Sequence, residues 1–155
     1  MPPPVAKPTI ILMAEDNRAD QRLAERAMRK TQLLANFVMV ADGEEALAFL
    51  RDPTQPLPDL ILLDINMPVI DGYRFLEIRQ AAKEPWTLIP VIMLTTSDQM
   101  DDVNACYALG ANAYLRKSTE IKELIEVLMK LYGFWLQIAV LPNEPSVPTD
   151  SLLSS

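Results

Sequence analysis

Five short apolar runs recur along the chain, each separated from the next by a stretch with helical periodicity. They are TIILMA at 9–14, FVMVA at 37–41, LILL at 60–63, VIMLT at 91–95 and AYLR at 113–116. Each is apolar at consecutive positions rather than at alternate ones, so both faces of the strand must be covered. Between the runs, GEEALAFL places Ala46, Leu47 and Leu50 on one stripe behind Asp42-Gly43. Thr96 and Gln99 fit a capping box ahead of Met100, Val103 and Cys106, and Gly110 is placed to end that helix. Ile121, Leu124, Ile125 and Leu128 follow a helical stripe behind a cap at Ser118 or Thr119. Strand and helix alternating through 9–132 predict one doubly wound α/β domain with a parallel sheet.

Composition narrows the chemistry. With a net charge of -7 the chain lacks the basic face of a phosphate-backbone binder, so no nucleic-acid partner is expected. It has no histidine, which excludes His-ligated metals, Ser-His and Cys-His nucleophile pairs, and a phosphohistidine of its own. Cys106 is the only cysteine and reads as a small core residue; a reducing compartment, the cytoplasm, is expected. No run approaches membrane-spanning length, and no membrane partner is expected. Residues 1–8 are rich in Pro and 142–155 in Pro and Ser, and both are expected to be disordered. The eight methionines are scattered and read as gap-filling core. Glu44-Glu45 and Asp101-Asp102 read as solvated helix starts, and Asp71-Gly72 as a turn and helix start.

The first turn is Ala14-Glu15-Asp16-Asn17, acidic and without glycine, so a dinucleotide or P-loop reading fails where it must succeed. In open α/β sheets, function gathers beyond the carboxyl ends of the strands. There this chain puts Glu15-Asp16, Asp64, Thr95-Thr96 and Arg116-Lys117. If the strand order is 2-1-3-4-5, these ends form one row of carboxylates, hydroxyl and ammonium, about 4.8 Å from strand to strand. Crowded carboxylates repel, and a hard divalent cation relieves them; oxygen-only donors suit Mg²⁺. Asp64, ending the buried run LILL, is then a candidate nucleophile toward phosphorus, with Thr95 and Lys117 suited to hold phosphoryl oxygens.

The acidic pair of MAEDN, the aspartate of LILLDINMPVIDG, the threonine of PVIMLTTS and the lysine of AYLRK resemble a response-regulator receiver domain of two-component signalling. The resemblance covers 9–132 and is of the chemotaxis-receiver type. It implies a flavodoxin-like five-stranded sheet of order 2-1-3-4-5, with Asp64 as phosphoacceptor. Asp16 would contact Mg²⁺ directly, Glu15 mostly through water, and Asn66 through its backbone carbonyl. Thr95 and Tyr114 would be the switch pair reshaping the face formed by the fifth strand and the helices on either side of it in the chain. The family usually has Lys-Pro with a cis bond after strand 5, where this chain has Lys117-Ser118.

The implied function is a stand-alone regulator that takes a phosphoryl group from a sensor histidine kinase and signals through a downstream protein or phosphotransfer partner. A relay or phosphate-sink role is the alternative. It would not be a turnover enzyme on an external substrate. A haloacid-dehalogenase-type phosphohydrolase needs a second acid two residues after Asp64, where Asn66 stands. A receiver that works without phosphorylation is expected to lack Asp16, Asp64 or Lys117, and all are present. Tyr114 could also be plain core. Residues 133–141, GFWLQIAVL, follow the last helix and carry Phe134, Trp135 and Leu136. They either pack on their own domain or form a partner surface, and a homodimer is expected. FWLQIAVLP, together with Lys-Ser, also resembles the receivers that pair with bacterial phytochrome photoreceptor kinases.

Overall fold

The computed structural model describes residues 9–142; the segments 1–8 and 143–155, which hold most of the expected disorder, lie outside the described residues. The order is β1 (Thr9–Ala14), α1 (Arg18–Thr31), β2 (Ala35–Val40), α2 (Gly43–Arg51), β3 (Leu60–Leu63), α3 (Gly72–Ala81), β4 (Val91–Thr95), α4 (Met100–Ala108), β5 (Ala113–Arg116) and α5 (Ile121–Leu131). A 3₁₀ turn at Pro85–Leu88 precedes β4, and α5 runs on into a π-helical segment, Tyr132–Ile138. All strand pairs are parallel in the order β2-β1-β3-β4-β5.

The consecutive apolar runs are explained by two cores. Leu12, Ala14, Ile61, Leu63, Val91 and Met93 face one core, which takes in Ala46 and Leu47 of α2, Phe75 and Leu76 of α3, and Cys106 of α4. Ile11, Met13, Leu60, Leu62, Ile92 and Leu94 face the other, against Ala24, Ala27 and Met28 of α1 and Leu124, Leu128 and Leu131 of α5. Cys106 is buried, as expected of a core residue. No helix among the described residues is long and apolar enough to cross a membrane.

Local chemistry sets most helix ends. Asn17, Asp42 and Asp71 cap α1, α2 and α3 by accepting from Asp20, Glu45 and Arg74 N–H groups. Gly110, at φ +97°, ends α4 as expected; its N–H donates to Tyr107 O (3.0 Å), and Ala111 N–H donates to Cys106 O (3.0 Å).

Three expectations shift. β2 begins at Ala35 and ends at Val40, because its ladder to β1 runs from Thr9↔Ala35 to Ala14↔Val40. The Thr96–Gln99 capping box does not form: Gln99 occupies the cap position without a side-chain bond, and Ser97 Oγ accepts from Gln99 N–H at 3.3 Å. Neither Ser118 nor Thr119 caps α5; Glu120 holds that position, and Ser118 Oγ accepts from its N–H at 3.0 Å. All described peptide bonds are trans, Lys117–Ser118 included.

The extension divides. Trp135 and Leu136 pack against the α1/α5 core of their own domain, so they do have a core to enter. Phe134 (52% exposed), Ile138 (74%) and Val140 (98%) remain outside.

Candidate functional site

Three backbone hydrogen bonds carry the sheet ladder one residue past its strands, and each delivers a polar side chain. Glu15 N–H donates to Val40 O (3.0 Å), Asp64 N–H to Ala14 O (3.3 Å), and Lys117 N–H to Thr95 O (2.6 Å). The row expected at the carboxyl end is therefore built by the sheet itself. Glu15, Asp64 and Thr95 are the buried polar residues there, while Asp16 and Asn66 are exposed.

Lys117 is the hub. Its Nζ lies 2.7 Å from Glu15 Oε2, 3.2 Å from Asp64 Oδ2 and 3.0 Å from Asp20 Oδ2. Asp64 Oδ1 accepts from Ile65 N–H at 2.7 Å, and Glu15 Oε1 accepts from Asn17 N–H at 3.1 Å. Burial pushes the Glu15 carboxyl up to about 7, despite the opposing pull of Lys117 and with a further upward push from Asp64. Burial also acts against the Lys117 ammonium, but Glu15, Asp64 and Asp20 outweigh it and hold the group above the ordinary lysine range.

Carboxylate oxygens of Glu15, Asp16 and Asp64 lie within 4.8 Å of one another. That spacing and all-oxygen chemistry fit a hard divalent cation. Thr95 is fully buried, and its Oγ1 has no hydrogen-bond partner. An unmade bond of this kind costs about 1–3 kcal/mol, which an incoming oxygen would recover.

The loop carrying Asp64 is wedged by two glycines that the sequence marked only as helix starts. Gly43 N–H donates to Ile70 O at 3.1 Å, and a Cβ there would stand 2.4 Å from that oxygen. Gly72 N–H donates to Ile65 O at 2.8 Å, and a Cβ there would stand 2.5 Å from Asp64 O. Between them, Val69 takes φ +66°, and Ile70 N–H closes on Pro68 O at 2.8 Å. This is a γ-turn, strained for a β-branched residue. Gly72→Ala is expected to cost on the order of 2 kcal/mol, since the rigid backbone of Asp64 must move. Gly133→Ala, whose Cβ would meet nothing within 4 Å, is the control in the same denaturant titration. Equal stability of the two variants would contradict the wedge.

The β4–α4 loop is fastened differently. Tyr114 OH donates to Ser97 O (2.8 Å), Ser97 Oγ donates to Asp102 Oδ2 (2.5 Å), and Tyr73 OH donates to Asp102 Oδ1. Asp102 is thus a junction of three elements rather than a solvated helix start. Tyr114 is half-buried with its ring against the α2/α3/α4 core. Asp20 was missed as well; its only sequence signal is an acid one helical turn beyond Asp16.

The response regulator receiver domain family matches residues 11–129. The chain is a response-regulator receiver. It is 39% identical over 140 residues to Response regulator Rcp1 of Synechocystis sp., covering 87% of this chain and 94% of that one. The Mn²⁺-bound form of Rcp1 superposes with TM-score 0.77 at 37% identity, covering 88% of this chain and 100% of that one. The phosphorylated cyanobacterial phytochrome response regulator RcpA gives 0.78 at 36%, with the same coverage. RPA3017, from red light signalling in R. palustris, gives 0.80 at 30%, covering 87% and 99%. The receiver thus shares its fold and family with phytochrome-associated regulators.

Proposed function

We propose that this receiver accepts a phosphoryl group on Asp64 from a sensor histidine kinase of the phytochrome photoreceptor type, with Mg²⁺ held by Glu15, Asp16, Asp64 and the Asn66 carbonyl. The observation that carries the reading is the orphaned Thr95 hydroxyl, buried in the same row of strand ends as Asp64 and its Lys117 partner. An Asp64 oxygen attacks phosphorus, the P–N bond of the donor phosphohistidine breaks, and its electron pair leaves with the imidazole. Lys117 is suited to hold one phosphoryl oxygen and Thr95 another. Mg²⁺, when bound, would offset the charge of the carboxylates and the incoming group. Asp64 is restored by hydrolysis of its own acyl phosphate, so the protein is a phosphoacceptor rather than a turnover enzyme. Cytoplasmic residence is supported by the single, buried, unpaired Cys106.

The direct test is transfer from an autophosphorylated phytochrome-type kinase. One acid-stable, base-labile phosphate should appear on the receiver and require Mg²⁺. Transfer from no kinase, together with no labelling by acetyl phosphate, would overturn the reading.

Metal affinity should depend on pH. Glu15 must be ionised to serve a cation, so Mg²⁺ affinity should fall as pH drops below about 7. In the metal-free protein the native state keeps a proton that the unfolded chain releases. Stability contributed by Glu15 therefore falls as pH rises from 4.5 toward 7. Calorimetric Mg²⁺ titration should show proton uptake by buffer at pH 6.5 and little at pH 8.5. An affinity that is flat across this range would remove Glu15 from the site, and an unaltered affinity in Asp16→Ala would remove Asp16.

A homodimer is the second element of the proposal. Exposed Phe134, Ile138 and Val140 support it, while Trp135 serves its own domain. Phe134→Asp should lower the mass seen by light scattering toward a monomer and leave Asp64 labelling intact. A full-length protein that is monomeric at tens of micromolar would end the dimer reading.

A further inference from the structure

Asp20 holds Lys117 without belonging to the carboxylate group that fits a cation. Three acceptors surround the ammonium, and two of them, Glu15 and Asp64, are also members of the cation-fitting trio with Asp16. Once a cation draws on those two, and once Asp64 carries the phosphoryl group, Asp20 is the acceptor left wholly to Lys117. Its position on α1 argues against a mere helix-capping role. Asp20 stands three residues after the cap Asn17, where an acid normally reaches back to the cap's own N–H. That N–H is already taken by Glu15 Oε1 at 3.1 Å, and the Asp20 carboxylate turns to Lys117 at 3.0 Å.

Resting on the phosphoacceptor reading above, we infer that Asp20 is a positioning residue, keeping the Lys117 ammonium beside Asp64 throughout the phosphorylation cycle. A free lysine side chain has four rotatable bonds and must be ordered at the moment of transfer. Tethered at one donor, the ammonium keeps its other protons for the phosphoryl oxygen, and its search is removed from the reaction. The tether matters more here because the Lys117–Ser118 step has no proline ring to stiffen it.

The experiment uses the full chain, acetyl phosphate and Mg²⁺, and compares Asp20→Asn and Asp20→Ala with wild type. Labelling of wild type establishes that the underlying reading holds; its absence would remove that reading and leave Asp20 without a reaction to assist. Given labelling, the rate at saturating Mg²⁺ should fall roughly tenfold in Asp20→Ala, the scale of one lost hydrogen bond to a charged group. The same substitution in a Lys117→Met background should change the rate by less than about twofold, since a tether with nothing to hold has no effect. A second readout is the Lys117 ammonium resonance by ¹⁵N NMR at saturating Mg²⁺, sharp in wild type and broadened by proton exchange in Asp20→Ala. A faster rate in Asp20→Ala, an equal loss in the Lys117→Met background, or an unchanged ammonium resonance would each overturn the inference.

Discussion

Asp64→Asn should take up no phosphate from acetyl phosphate or from a kinase. The change is nearly isosteric, but the single amide oxygen can replace only one of the two acceptors, Oδ2 at 3.2 Å from Lys117 Nζ or Oδ1 at 2.7 Å from Ile65 N–H, and the amide NH2 takes the other place. What disappears is the anionic oxygen: an amide is a poor nucleophile toward phosphorus. The metal-free fold should stay close to wild type in stability, because relief of the repulsion between the buried Glu15 and Asp64 carboxylates offsets the lost hydrogen bond. Loss of labelling combined with retained stability is the decisive pattern, read by radiolabelled acetyl phosphate and denaturant titration on the same preparation. Undiminished labelling of Asp64→Asn would move the acceptor elsewhere.

Lys117→Ala should have the next largest effect, and on a different quantity. Its side chain is 6% exposed and its partner Glu15 only 1%, so the substitution leaves buried carboxylates without their cation. Breaking a buried pair in this way costs about 3–5 kcal/mol. Much of that loss should return on adding Mg²⁺, because a cation bound by Glu15, Asp16 and Asp64 replaces the missing positive charge. Denaturant titrations with and without Mg²⁺ should thus diverge far more for Lys117→Ala than for wild type. An equal deficit in both conditions would mean that the lysine acts through packing rather than charge.

The sheet was legible because its central strands β1, β3 and β4 are buried on both faces, which writes consecutive apolar runs between the helical stripes. The site was legible for the same reason: a carboxylate at the end of LILL, beside Glu15 and opposite Lys117, has little structural use. Helix starts at Gln99 and Glu120 were misread because Ser97 and Ser118 bond to the cap residue's own N–H rather than one inside the helix. Asp20 escaped because its partner lies 97 residues away, and nothing in a linear pattern distinguishes an acid facing Lys117 from one facing water. The sequence left open which way Trp135 faces, because only the π-helical continuation of α5 turns it toward the α1/α5 core. The glycine wedges are likewise invisible in sequence, since a close approach between Gly43 and Ile70 is a tertiary fact.

On the phosphoacceptor reading, those wedges would set the direction in which news of phosphorylation travels. The segment that carries Asp64 is braced by backbone against backbone on either side, so it resembles an anvil: it would receive the group and not yield. The opposite wall is fastened largely through side chains, those of Tyr114, Ser97, Asp102 and Tyr73. Hydroxyls exchange partners by rotation, whereas a glycine lodged under a carbonyl has nowhere to turn. Strain entering at Asp64 would then pass more easily toward the start of α4 and the aromatic ring on β5. Substitutions in the suspended wall should retune the response, and those in the braced wall should shift Asp64 itself and slow its phosphorylation.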